Sequence, residues 1–134
     1  MELVRRRLDI VVEAFNTRGI DAALPYFHPE LVWKAPPEWL EGEVYRGHEG
    51  LRELATSWGQ NFDEFRLEVE RVVGLGGDRA LALVHQRGRL KGTGHPMEMA
   101  IGWIVELVGG QLVRVDVYFS WEAALEAAGL SEQQ

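Results

Sequence analysis

From Phe62 to Phe119 apolar residues recur at every second position, a period that a strand satisfies and a helix does not. Phe65, Leu67 and Val69 alternate with Arg66, Glu68 and Glu70. After Gly74–Gly77 and Asp78 the pattern resumes from Ala80 to Leu90, and after Gly92–Thr93–Gly94 from Met97 to Val108. Gly109–Gly110 then marks a hairpin turn before a last strand, Leu112 to Phe119. Connections this short join strands that run antiparallel.

Ahead of the meander the period is that of a helix. Val4, Leu8, Val11, Val12 and Phe15 share one face, and Gly19 ends it. A short second helix follows, with Asp21 as its expected N-cap, Leu24 and Phe27 on one side, and Pro25 limiting its length. Glu30 to Ala35 reads as a strand ended by Pro36–Pro37, and residues 38–46 as an irregular loop carrying Trp39 and Tyr45. A third helix opens near Gly47 and buries Leu51, Leu54, Ala55 and Trp58. The chain closes with a helix from Trp121 to Ala128. Ser120 is its expected N-cap, Gly129 its left-handed C-terminal residue, and Leu130 is set to touch Leu125 as in a Schellman ending. Helices gathered on one face of a curved, mainly antiparallel sheet make an α+β fold, expected as a single domain over 1–134.

Charge and composition exclude several functions. A net charge of −7 opposes non-specific nucleic-acid binding, which requires a positive surface. The basic run Arg5–Arg6–Arg7 sits among Glu2, Asp9 and Glu13, as on a solvated helix face. The absence of cysteine removes disulfides, thiolate metal sites and thiol nucleophiles. His28, His48, His85 and His95 show neither an i, i+4 pair nor an HExxH spacing, so no metal is expected. Gly74–Leu75–Gly76–Gly77 joins two strands and lacks the following helix of a phosphate loop, so no cofactor is expected. No apolar run is long enough to cross a bilayer and no secretory core follows Met1, so the expectation is a cytoplasmic protein with no membrane partner.

Four stretches carry a family resemblance: Phe27–His28–Pro29–Glu30–Leu31–Val32–Trp33; Tyr45–Arg46–Gly47–His48–Glu49–Gly50; Gly110–Gln111–Leu112–Val113–Arg114; and Val117–Tyr118–Phe119 with Ala124–Leu125–Glu126–Ala127–Ala128–Gly129–Leu130. With the element order, they resemble the SnoaL-like polyketide cyclase group of the nuclear transport factor 2-like superfamily. The resemblance implies a cystatin-like, cone-shaped barrel of strongly curved sheet with N-terminal helices over its concave face. It specifies little chemistry, because this fold hosts cyclases, isomerases, hydrolases and non-enzymes.

Alternation divides each strand into an inner and an outer face. Val113, Val115, Val117 and Phe119 oppose Arg114, Asp116 and Tyr118. Met97, Met99, Ile101, Trp103 and Val105 oppose Glu98, Ala100, Gly102, Ile104 and Glu106. Ala82, Val84, Gln86 and Gly88 oppose Leu83, His85, Arg87 and Arg89. The first-named set of each strand is assigned to the interior, a phase the resemblance supports. The expected pocket thus comprises Val84, Gln86, Met97, Met99, Ile101, Trp103, Val115, Val117 and Phe119. Trp33, Ala35, Tyr45 and Trp58 complete its lining, and Trp39 is a candidate lid.

Related limonene epoxide hydrolases activate water with a deep Asp–Arg–Asp group and a Tyr/Asn pair. The matching places here hold Gln86, Val84 and Val117, with Trp33 and Ala35 instead of the pair. An amide takes no proton, which argues against that hydrolysis. Ketosteroid isomerases likewise need a buried carboxylate base, and this interior shows none. The first reading is therefore a small-molecule-binding domain with a largely apolar pocket, Gln86 orienting an apolar ligand. A second is an acid/base isomerase, cyclase or lyase on a carbonyl-bearing substrate, with Asp116 or His28 as catalytic candidates. A third is a non-catalytic dimeric scaffold with a filled cone. The resemblance also implies a homodimer through the outer face, where His85, Arg87, Arg89, Glu98, Arg114, Asp116 and Tyr118 lie.

Overall fold

The computed structural model describes residues 2–35 and 44–130. Helix α1 (Glu2–Arg18) leads into a single-turn α2 (Ile20–Ala23) and a 3-10 turn (Leu24–Tyr26), then strand β1 (Phe27–Lys34). After β2 (Val44–Arg46) and α3 (Gly47–Asn61) come four strands in succession: β3 (Phe62–Gly76), β4 (Arg79–Leu90), β5 (Pro96–Val108) and β6 (Gln111–Tyr118). Helix α4 (Trp121–Ala127) ends the described chain. No helix among the described residues is long and apolar enough to cross a membrane.

The sheet runs β2-β1-β6-β5-β4-β3 and is curled without closing into a barrel. The meander pairs antiparallel, but β1 joins β6 in parallel, so the sheet is mixed. No hairpin constrains that one pairing, because α3 and four strands intervene. Val4, Leu8, Val11 and Val12 of α1 pack with Leu31, Ala82, Val84, Val105 and Val115 of the sheet in one concave core. Burying an aliphatic side chain of this size contributes about 1.5–3 kcal/mol relative to exposure. α4 lies on the other face, over Leu81, Leu83 and Ile104.

Several local expectations shift. Gly19, at φ 88°, occupies the N-cap of α2, while Asp21 lies within that turn and accepts from Arg52 at 3.1 Å. β1 starts at Phe27, three residues before the apolar alternation shows it, because Phe27 pairs with Leu112. Val44–Arg46, expected as loop, is a short strand on β1. The end of α4 follows its signals: the Ala123 N–H donates to Ser120 Oγ at 3.0 Å, Leu130 N–H to the Leu125 carbonyl at 2.8 Å and Gly129 N–H to the Glu126 carbonyl at 3.0 Å. These last two bonds are the pair that defines a Schellman ending.

Bulges reset the strand phase in three places that matter. Phe62 pairs with Leu90 and Asp63 with Arg89, but the next pair is Arg66 with Arg87. Glu64 and Phe65 therefore oppose Gly88 alone, Glu64 takes a φ of 55°, and both Phe62 and Phe65 face inward. A second bulge between Val69 and Arg71 turns Val72 inward and sends Val73 and Leu75 to the outer cluster. On β6, Arg114 pairs with Glu106 and Leu112 with Leu107, which leaves Val113 as the extra residue. The concave core accordingly holds Leu112, where simple alternation placed Val113.

Candidate functional site

On the concave side lies a cavity of about 420 Å³. Trp33 and Ala35 reach it from β1, Tyr45 from β2 and Trp58 from α3. β4 contributes Gln86; β5 contributes Met97, Met99, Ile101 and Trp103; β6 and its end contribute Val117 and Phe119. Of the other residues assigned to the pocket from sequence, Val84 is fully buried and lines none of this space, and Val115 lines a smaller, deeper one. Trp39 falls outside the described residues.

The aromatic wall is built by edge-to-face contacts. Trp33 meets Trp103 at 5.5 Å between ring centroids and Trp58 at 6.1 Å. Phe65 stacks on Trp58 at 4.7 Å. Such pairs add about 0.5–1.5 kcal/mol beyond the area they bury. At the mouth Phe119 and Leu90 are 40% and 38% exposed, an apolar rim where a soluble surface would carry charge.

Among the described residues that line the cavity there is no Asp, Glu, Lys, Arg or His, in a chain that is 26% charged. Its polar side chains are Ser57, Asn61, Gln86 and the Tyr45 phenol. Sequence reading missed Leu54, Ser57, Asn61, Phe62 and Leu90. Leu54, Trp58 and Asn61 stand at i, i+4 and i+7 on α3, so helical spacing from Trp58 could have found Asn61. Leu90 continues the inner alternation of Ala82, Val84, Gln86 and Gly88 and could have been found from it. Phe62 carries no such signal, since its inward turn depends on the bulge beside it.

Asp116 and His28 are not brought to this cavity. Asp116 lies on the outer face of β6 and accepts from Arg114 Nε at 2.9 Å. That hydrogen bond first, and then the carboxylate's charge, hold the Arg114 guanidinium above its ordinary value. His28 Nδ1 accepts the Glu30 N–H at 3.0 Å at the start of β1. His48, in the first turn of α3, bonds through Nε2 with the Phe27 carbonyl at 2.9 Å. His85 lies on the outer face, with Glu98 3.3 Å from Nδ1 and Glu70 3.6 Å from Nε2. Among the described residues no group of His, Asp or Glu side chains converges as a metal site would.

A family model for the SnoaL-like domain matches residues 9–115. The chain belongs to the SnoaL-like family. Solved structures agree on its fold. An NTF2-like protein of unknown function from Burkholderia pseudomallei superposes with a TM-score of 0.76 at 18% identity, over 98% of this chain and 99% of that one. A protein of ketosteroid isomerase-like fold from Catenulispora acidiphila, in complex with trimethylamine, gives 0.73 at 14% identity over 96% and 95%. A protein described as a SnoaL-like polyketide cyclase, from a Jannaschia species, gives 0.73 at 13% identity over 87% and 85%. No curated protein matches the sequence. As a SnoaL-like domain, the chain shares its fold with these NTF2-like, ketosteroid isomerase-like and polyketide cyclase-like proteins. Its aromatic cavity is described by its own residues.

Proposed function

We propose that this SnoaL-like domain binds a neutral, largely apolar small molecule, held by ring contacts with Trp33, Trp58 and Trp103 and oriented through Gln86, Asn61 and Ser57. The observation that carries this reading is a ligand-sized cavity with no ionic side chain among the described residues of its wall. Apolar walls with a few convergent polar groups are the usual composition of a small-molecule site. A charged ligand would lose its hydration there without gaining a counter-ion, a heavy penalty at low dielectric. The wall supplies shape, apolar surface and neutral hydrogen bonds, and the proposal includes no proton-transfer step. The space itself also favours binding over a scaffold with a filled cone.

The test is titration with 1-aminoanthracene, a neutral polycyclic fluorophore. A saturable, blue-shifted emission at one equivalent per chain is expected. Ile101→Trp, which adds bulk to the wall, should weaken binding at least about tenfold, equivalent to about 1.4 kcal/mol. Emission that never saturates, or that is indifferent to Ile101→Trp, would remove the proposal. Homodimerisation through the outer face is proposed as well, supported by a strip that carries both charge signs: His85, Arg87, Arg89 and Glu98. Light scattering showing a monomer at micromolar concentration would rule it out.

A further inference from the structure

A second space of about 40 Å³ lies deeper on the concave side, between α1 and the sheet. Every residue on its wall is apolar or aromatic: Val12 and Phe15 face it from α1, Ala23 from α2, Leu67 and Val115 from the sheet. Trp33, Trp58 and Trp103 line both this space and the larger cavity. Three indole rings thus form the partition between them.

Ring contacts hold the partition, with no hydrogen bond at Trp103. Trp33 touches Trp58 and Trp103 edge-on, at interplanar angles of 68° and 69°. Trp103 Nε1 is buried without a hydrogen-bond partner, whereas the Trp121 indole N–H donates to the Val84 carbonyl at 3.3 Å. No hydrogen bond therefore pins the Trp103 ring in its plane. One water-sized sphere needs about 10–15 Å³ of such volume, so the deep space has room for a short alkyl group. Its wall offers water no hydrogen bonds, and an apolar group entering it gains dispersion contacts that the lining otherwise lacks.

We infer that the space behind the three tryptophans is a second subsite, reached through that partition, which takes a short alkyl end of the ligand held in the larger cavity. The ligand part of this inference rests on the binding function proposed above; the accessibility of the space does not.

Two measurements on the full chain test it. Crystals pressurised with xenon should show the atom in the deep space. Displacement of 1-aminoanthracene by a series from toluene to pentylbenzene should show affinity rising about fourfold per methylene while the deep space fills. Ala23→Val, which adds two methyl groups to the deep wall alone, should flatten the rise for the longer members and leave toluene unchanged. Val115→Ile repeats the test from the sheet side should the helix variant fold poorly. No xenon in the deep space, or the same chain-length dependence in both variants as in the parent, overturns the inference. If 1-aminoanthracene fails to bind while xenon enters, the binding function falls and the accessibility of the deep space stands.

Discussion

Asn16 shows how much one side chain can settle. Its Nδ2 donates to the Leu67 carbonyl at 2.7 Å, and its Oδ1 accepts the Leu67 N–H at 3.0 Å. On the edge strand β3 those two backbone groups point away from β4, and a helix residue fills the place of a neighbouring strand. Buried backbone groups require such partners. Asn16→Ala is expected to lower unfolding stability by about 1–3 kcal/mol in urea titration. A loss below about 0.5 kcal/mol would mean that water replaces the amide. Gln86 offers the corresponding test in the cavity. Gln86→Glu puts a carboxyl among apolar groups, and burial raises its pKa by disfavouring the charged form. The neutral acid resembles the parent wall, so 1-aminoanthracene should bind well at low pH and be lost as pH rises through the raised value. Unaltered binding at high pH would show that Gln86 does not face the ligand.

At the scale of elements, α4 and the bulges do most to shape the molecule. Gly102 on β5 lies directly under Ala124, and a Cβ there would fall inside the Ala124 methyl group. Gly102→Ala should therefore push α4 from Leu81, Leu83 and Ile104, lowering stability by about 1–3 kcal/mol. The double variant with Ala124→Gly should recover most of it; equal losses in single and double variants would place the cause elsewhere. Ser120→Ala removes the cap of the same helix and should cost about 1 kcal/mol. α4 also bears on self-association, because it already covers the apolar half of the outer face and leaves the charged half open. An association there would depend on charge, and should weaken as salt is raised.

For the whole molecule, the separation of charge from cavity among the described residues decides the expected pH behaviour. Binding of 1-aminoanthracene should stay flat between about pH 5 and pH 9, where carboxylates are ionised and histidines titrate. A bell-shaped profile would return an acid or base to the site. Arg114 makes no difference in that window. Its folded-state value is raised, so the stability it contributes is present throughout and fades only at pH above the ordinary arginine value.

Sequence alone determined the class of fold and most of the phase of β4 and β5, because side chains on a strand alternate with a strict period of two. Ser120, Gly129 and Leu130 were equally legible, since a helix terminus is fixed by residues within one turn of it. What tertiary structure decided lies wherever two strands must agree. The exchange of Val113 for Leu112, the inward turn of Phe62, and the parallel joining of β1 to β6 all follow from hydrogen-bond pairing between segments distant in the chain. The tryptophan partition belongs with these: Trp33, Trp58 and Trp103 come from three elements, and the volumes on either side of them are what packing leaves over after every large side chain is placed. Periodicity reports which side a residue faces; only close packing in three dimensions sets how much space remains there.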